Sequence, residues 1–313
     1  MEYILLILGF VLLVKGADVF VDGSSAIARY FRIPSFIIGL TVVAFGTSAP
    51  EAAVSITAAA SGQNGIAVGN VLGSNIFNLL VVLGACALIK PCPVHTSILK
   101  NEYPQSILAA ALCAVLALIP LGGSGLYLSR PEGLIFLVLF ILFLVSTVQK
   151  AKKSPAPETG EEEKQISLPK GILLTLIGLA AIIIGGQLVV NNASEIATSF
   201  GISQTLIGLT IVAIGTSLPE LVTSIAAALK GETDIAVGNV IGSNLFNLLF
   251  VLGSSVAIHP IRVEMISIYD AGILVAISLL SMIPAWRKKE VPRSWGIIFI
   301  LLYIAYSYYI IVR

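Results

Sequence analysis

The sequence predicts an all-α polytopic membrane protein of ten transmembrane helices, arranged as two inverted five-helix repeats. Three observations lead there. Of the 313 residues, 57% are hydrophobic and 11% charged, with a mean hydropathy of +0.99, which excludes an ordinary water-soluble domain. The stretch Gly39–Gly84 recurs at Gly208–Gly253 at a constant offset of 169, with 31 identities in 46 positions, so the chain is a duplicated unit. Finally, lysine and arginine gather in alternate loops, and an odd number of spans per half turns the second copy over relative to the first.

Crossing about 30 Å of hydrocarbon takes roughly 20 mostly apolar helical residues. The ten stretches that qualify are Tyr3–Phe20, Phe36–Ala59, Ile66–Ile89, Pro104–Leu121, Glu132–Val148, Gly171–Val190, Thr205–Leu229, Ile235–Ile258, Asp270–Ala285 and Trp295–Val312. The N-terminus has no basic region or cleavage site and reads as a retained span.

Span one carries Lys15, Asp18 and Asp22 on one helix face. They read as a local ion pair with a snorkelling lysine and a carboxylate near the aqueous end. A proton path is the sharper alternative, but the second copy places Ile184, Gln187 and Asn191 there.

Span two holds GLTVVAFGTSAPE, repeated in span seven as GLTIVAIGTSLPE. Pro50 lacks an N–H and leaves the carbonyl of Gly46 without its helical donor, which predicts a broken helix beside protein or a wet cavity. Ala44, Thr47, Ser48 and Glu51 share one side, as do Ala213, Thr216, Ser217 and Glu220 beside Pro219. Each set offers only oxygen.

Span three adds Asn70, Ser74 and Asn78 in a stripe, with Gly69 and Gly73 permitting close helix approach and Asn75 on a neighbouring face. Helix–helix hydrogen bonding explains Asn70 or Asn75 as well as function does. Ser74 and Asn78 recur as Ser243 and Asn247 beside a repeated intramembrane glutamate and read as functional.

Spans four and five are generic apolar helices. The intervening Gly122-Gly123-Ser124-Gly125 matches the G-x-S-G pattern of rhomboid intramembrane proteases, but the two histidines, His95 and His259, sit at segment ends, so it reads as a small-residue loop. Residues 151–169, which include Glu161-Glu162-Glu163, read as a solvated linker between halves at 1–150 and 170–313. Trp286, Trp295, Tyr303, Tyr306, Tyr308 and Tyr309 suit the membrane interface. Cys86, Cys92 and Cys113 fit no disulfide or metal pattern and read as packing residues.

With the N-terminus outside, 14 of the 18 Lys and Arg fall inside, which places both termini outside. Inverted repeats with broken helices at mid-membrane are a transporter signature. The pseudo-two-fold brings Glu51 and Glu220 together, and two ionised carboxylates in hydrocarbon require a bound cation or protons. Oxygen ligands without thiolate or imidazole favour a hard ion, calcium before magnesium. A charge of −2 balances one divalent ion, two monovalent ions or two protons.

GTSAPE with GSNIFN and GTSLPE with GSNLFN resemble the paired alpha-repeats of the sodium/calcium exchangers, within the calcium/cation antiporter superfamily, especially their compact prokaryotic members. The resemblance covers both halves. It implies a site between spans two, three, seven and eight, sodium-driven calcium antiport, and gating by helices one and six. Glu51 and Glu220 are implied as carboxylate ligands, and Thr47, Ser48, Thr216, Ser217, Ser74 and Ser243 as hydroxyl or carbonyl ligands. Ala44 and Ala213 would offer backbone oxygens. Asn78 and Asn247 match positions where some relatives carry one aspartate.

The expected partners are the lipid bilayer and small cations. A net charge of +1 implies no nucleic acid, and no protein partner is inferable. No cofactor is expected; the transported ions are calcium and sodium, with protons as the alternative to sodium. The expected location is the cell membrane, plasma or inner. The different-class alternative, a cation channel, would need a continuous pore, and no enzyme activity is expected.

Overall fold

The computed structural model describes residues 1–119, 121, 125–153, 167–201 and 213–312, and these are almost entirely helical. Helix α1, Glu2–Tyr30, stops where Arg32 takes a positive φ of 50° and Pro34 bars continuation. Helix α2 (Ser35–Thr47) and α3 (Ala49–Ala60) are two arms of one apolar segment bent by 50°. The bend lies at Ser48, φ −85° and ψ 8°, with Pro50 in the first turn of α3, where its missing N–H costs nothing. The broken helix expected from Pro50 is therefore present. The carbonyl of Gly46 is not left open, however: it accepts a backbone N–H at the end of α2.

Helix α4 (Asn64–Ile89) follows, then α5 (Tyr103–Leu118), α6 (Arg130–Lys153) and α7 (Leu168–Ser199). The short α8 (Ala213–Thr216) and α9 (Leu218–Leu229) repeat the break of α2 and α3, again with a proline in the first turn after a serine, Ser217 at φ −92° and ψ 5°. Helices α10 (Thr233–Ile258), α11 (Met265–Lys288) and α12 (Arg293–Val312) complete the chain.

Among the described residues, seven helices are long and apolar enough to cross a membrane, eight if α2 and α3 form one span. Helix α5, with 16 residues, continues a π turn at Ile98–Glu102 and stands where span four was expected. Span seven was expected from Thr205, and its first residues, 205–212, lie outside the described ones. So do 154–166 of the expected linker and Gly122-Gly123-Ser124. Helix occupies both margins of that linker, since α6 runs through Lys153 and α7 starts at Leu168.

Burial locates the centre. The apolar windows of α10 and α4 are 94% and 72% buried, against 11% for α12 and 33% for α1 and α7. Both central helices contain a π turn, Asn78–Val82 in α4 and Phe246–Val251 in α10. A π turn inserts a residue into the helical ladder and re-aims the side chains around it.

Helices α1 and α7 lie antiparallel and very close. A Cβ on Gly9 would sit 3.0 Å from the carbonyl oxygen of Gly185, one on Gly16 3.0 Å from that of Gly178, and one on Gly23 2.8 Å from that of Gly171. Glycines seven apart on each helix thus form a ladder of backbone contact, the arrangement by which helices associate where lipid offers no hydrophobic drive.

Two short antiparallel strand pairs link the halves. Strand β1 (Cys92–Pro93) pairs with β4 (Glu290–Val291), and β2 (Tyr127–Leu128) with β3 (Ile261–Arg262). Since β3 is β1 advanced by 169 residues, each half lends one equivalent strand to the other.

The predicted Lys15 ion pair gives way to one between helices. Lys15 is exposed, and Asp18 and Asp22 face Lys230 instead. Lys230 Nζ donates to Asp22 Oδ1 and to the Asp18 carbonyl, both at 2.7 Å, and Arg29 lies 3.6 Å from Glu232. Sequence spacing along one helix could not reveal a partner 212 residues away. The expected aromatic anchors also divide: Trp286 and Tyr308 are exposed, whereas Tyr303 meets Phe77 edge-on at 5.4 Å and Tyr306 is buried.

All three cysteines are buried and free, as packing residues should be. Burial pushes the Cys92 thiol in β1 up to about 12, so almost no thiolate exists near neutral pH. Maleimide at pH 7 should therefore leave the native protein unmodified and label three sites after denaturation, as read by intact mass.

Candidate functional site

The broken segments α2–α3 and α8–α9 meet the central helices α4 and α10, and hydrogen bonds cross between the halves in matched pairs. Ser48 Oγ donates to Glu220 Oε1 at 2.6 Å, and Ser217 Oγ donates to Glu51 Oε1 at 2.9 Å. Adding 169 to Ser48 and subtracting it from Glu220 turns the first bond into the second. Each glutamate stands in the first turn after its break and is held by the serine at the opposite break. Both glutamates and both serines are fully buried.

Asparagines form the next layer. Asn70 Nδ2 donates to Ser55 Oγ at 2.9 Å and to the Glu51 carbonyl at 3.3 Å; Asn239 Nδ2 does the same to Ser224 Oγ at 2.9 Å and the Glu220 carbonyl at 3.4 Å. Their oxygens face across the interface. Thr47 Oγ1 donates to Asn239 Oδ1 at 3.1 Å, and Thr216 Oγ1 to Asn70 Oδ1 at 3.4 Å. Nearer the axis, Asn75 Nδ2 donates to the Asn244 carbonyl at 3.4 Å and Asn244 Nδ2 returns a bond to the Asn75 carbonyl at 3.3 Å.

The remaining expected residues are arranged less evenly. Ser217 Oγ also reaches Ser74 Oγ at 3.1 Å, while Ser243 Oγ donates to Asn239 Oδ1 at 3.4 Å and to the Ala44 carbonyl at 3.5 Å. Asn78 Nδ2 donates to Asn244 Oδ1 at 3.1 Å. Ala213 opens α8 and marks the limit of the described chain there. Asn247 is fully buried with neither polar atom of its side chain partnered among the described residues.

The leftover atoms define what the site lacks. Glu51 Oε2, Glu220 Oε2, Asn78 Oδ1 and Asn247 Oδ1 are all buried without a hydrogen-bond donor among the described residues. Buried polar atoms are nearly always paired, so acceptors left open on both glutamates and on Asn75, Asn78 and Asn247, with Asn247 Nδ2 open as well, set this layer apart from an ordinary packed core.

The glutamates, hydroxyls and amides named from the sequence are brought together here. Asn70 and Asn75 join them, as do Ser55 and Ser224, which the sequence does not single out. Their signal was recurrence at the 169-residue offset, but recurrence alone does not say which side chain crosses to the other half.

Fold and site together define a polytopic membrane protein with a buried, hydrogen-bonded polar centre between its duplicated halves. A profile of the family described as "Sodium/calcium exchanger protein" matches residues 1–149 and 170–312, and the chain belongs to that family. It is 43% identical to the putative antiporter CaxA of Alkalimonas amylolytica, over 97% of each chain. To the sodium/calcium exchanger MaX1 of Methanosarcina acetivorans it is 34% identical, again over 97% of each. The inner membrane protein YrbG of Escherichia coli (strain K12) shares 38% identity over 94% of this chain and 92% of its own. Among solved structures, the sodium-calcium exchanger NCX_Mj soaked with 10 mM Na+ and zero Ca2+ superposes with a TM-score of 0.85, at 36% identity and 97% coverage of both chains. The family consists of membrane transporters that exchange cations, not of enzymes, and this chain is an integral, multi-pass member.

Proposed function

We propose that the chain is a secondary antiporter that exchanges calcium for sodium by alternating access at the central all-oxygen site. The observation that carries this is the set of buried acceptors without donors, Glu51 Oε2, Glu220 Oε2, Asn78 Oδ1 and Asn247 Oδ1. Calcium takes 6–8 oxygens at about 2.3–2.6 Å in flexible geometry. The two carboxylates would supply the charge, with Thr47, Ser48, Thr216, Ser217, Ser74 and Ser243 and the carbonyls of Ala44 and Ala213 completing the donor set. Sodium would compete for the same oxygens. Mutually exclusive occupancy then couples the two fluxes.

The reading extends to topology. Ten spans in two inverted repeats, at 1–150 and 170–313, would be completed by α5 and by a span ending in α9, with both termini outside the cell membrane. The antiparallel lie of α1 and α7, which are equivalent in sequence, supports inversion. So does the exchange of matched hydrogen bonds across the interface. The smooth glycine ladder of α1 on α7 suits a pair that shifts together as a gate, while Lys230 would tie α1 to the α9–α10 turn in the state described.

Calcium-45 uptake into sodium-loaded proteoliposomes at equal internal and external pH tests the coupling. Uptake should follow the sodium gradient and saturate with calcium. Uptake driven only by a pH gradient in sodium-free vesicles would move the protein to calcium/proton exchange at the same site. Flux with no counter-ion requirement would indicate a channel.

A further inference from the structure

We propose that Lys230 is an ionic latch on the cytoplasmic mouth of this protein, and that the opposite mouth has no counterpart. The inference rests on the alternating-access and topology reading above and deepens it, by naming what holds one of the two closures shut. Lys230 follows the last turn of α9, where the helix dipole favours a cation, and α9 carries Glu220 in its first turn. Its Nζ lies 2.7 Å from Asp22 Oδ1 and 3.9 Å from Asp18 Oδ1, and it donates to the Asp18 carbonyl at 2.7 Å. One ammonium thus grips two successive turns of α1. Arg29, in the last turn of α1, faces Glu232 at 3.6 Å and ties the same helix to the same turn a second time. Between these side chains lies a cavity of about 380 Å³ lined by Val21, Asp22, Ser25, Arg29, Lys230 and Glu232. Ser25 is only 3% exposed, and neither its Oγ nor that of Ser24 has a hydrogen-bond partner among the described residues. Buried hydroxyls are ordinarily paired, so two open ones beside a polar cavity mark a surface that takes up water when the contact parts.

The duplication supplies the comparison. At the 169-residue offset, Asp18, Asp22 and Arg29 become Gln187, Asn191 and Thr198 on α7, while Lys230 and Glu232 become Ser61 and Gln63 between α3 and α4. All five charges are lost. Helices α1 and α7 are held together along their glycine ladder, where a Cβ on Gly23 would lie 2.5 Å from the Thr175 nitrogen, so the pair shifts as one body. Parting its inner end from the α9–α10 turn separates two sets of opposite charges, whereas parting its outer end from the α3–α4 turn separates none of the equivalent ones. The inner closure is therefore the one strengthened by charge, and the two halves of the cycle differ although the backbone is nearly symmetric.

Ser25→Cys in the full chain reports the latch. Its thiol is labelled with a membrane-impermeant maleimide in inside-out and right-side-out vesicles, in choline buffer without sodium or calcium. The chain without this substitution gives the background of the three native cysteines. Adding Lys230→Gln should speed labelling about fivefold in inside-out vesicles and leave right-side-out vesicles unchanged; that factor corresponds to ~1 kcal/mol, the upper end for an exposed ion pair. Removing a nearby cation disfavours the thiolate, so a faster reaction reports opening and not a more reactive sulfur. Lys230→Arg keeps the charge and should label as slowly as the chain with Lys230 intact, and Lys230→Met replaces the glutamine variant should that one not fold. Equal rates with and without Lys230→Gln, or acceleration from the outer face, overturn the latch whether or not the chain transports calcium. Absence of calcium-45 exchange with either sodium or protons in proteoliposomes of the unsubstituted chain overturns the transport reading separately, because the labelling rate is read without any flux.

Discussion

Glu51→Gln and Glu220→Gln should each reduce cation exchange by at least about 100-fold without loss of folded protein. Glutamine keeps the volume and retains an oxygen for the cross-half serine, Ser217 or Ser48. What it removes is the charge, and it turns an N–H towards the place where Glu51 Oε2 or Glu220 Oε2 now offers an open acceptor. At an effective dielectric of about 20, a unit charge about 4 Å from another contributes roughly 4 kcal/mol, close to a thousandfold, so the loss should be severe even after partial compensation. Thermal stability without cations should stay level or rise, since each variant relieves two buried carboxylates of like charge. Calcium-45 flux and thermal unfolding in detergent check the two halves of the prediction. Normal exchange in either variant would sink the assignment of the site.

The repeat explains why so much of this site was legible. Glu51, Pro50 and the hydroxyls of the broken segment are conspicuous in an apolar run, and the copy at 169 residues' distance marks them as more than accident. The break itself follows from one covalent fact, the missing N–H of proline, and it falls at Ser48, two residues before Pro50. Features that depend on a second surface were not legible. The π turns in α4 and α10 arise in sequences that read as uninterrupted helix. The crossings from Thr47 to Asn239 and from Thr216 to Asn70 need the relative placement of the halves, which no spacing within one half encodes. Lys230 illustrates the same limit, because its carboxylate partners lie on α1 and a nearer lysine on that helix was the local candidate. Backbone satisfaction was the other blind spot: the Gly46 carbonyl loses its ordinary donor to Pro50, yet the cap at Ser48 supplies another.

Gly242→Val should abolish transport and destabilise the protein, although Gly242 is not itself one of the proposed cation ligands. A Cβ at Gly242 would lie 2.5 Å from the Leu40 carbonyl oxygen, 2.7 Å from Leu40 Cα and 2.8 Å from Ala44 Cβ. None of these is the end of a flexible side chain, so α10 and α2 must separate. Gly238, one turn earlier, is equally confined, with the Phe36 carbonyl oxygen 2.5 Å from its would-be Cβ. Overpacking a well-filled contact costs about 1–3 kcal/mol, and a backbone clash places valine at or beyond the upper end. The functional cost follows from what this approach holds in register: Ser243 Oγ is 3.5 Å from the Ala44 carbonyl and Thr47 Oγ1 is 3.1 Å from Asn239 Oδ1. Moving the helices apart by the width of a methyl group breaks both and unseats the carbonyls flanking Glu51 and Glu220. Gly272 in α11 is the control, since nothing lies within 4 Å of its would-be Cβ. Gly272→Ala should preserve exchange and add up to about 1 kcal/mol through helix propensity. If calcium-45 flux and the unfolding temperature of Gly242→Val matched those of the control, close approach of α10 to α2 would not be what builds the site. If both fall together, the glycine of GSNLFN serves cation exchange by admitting the neighbouring backbone, and its place beside Ser243 reflects geometry rather than ligation.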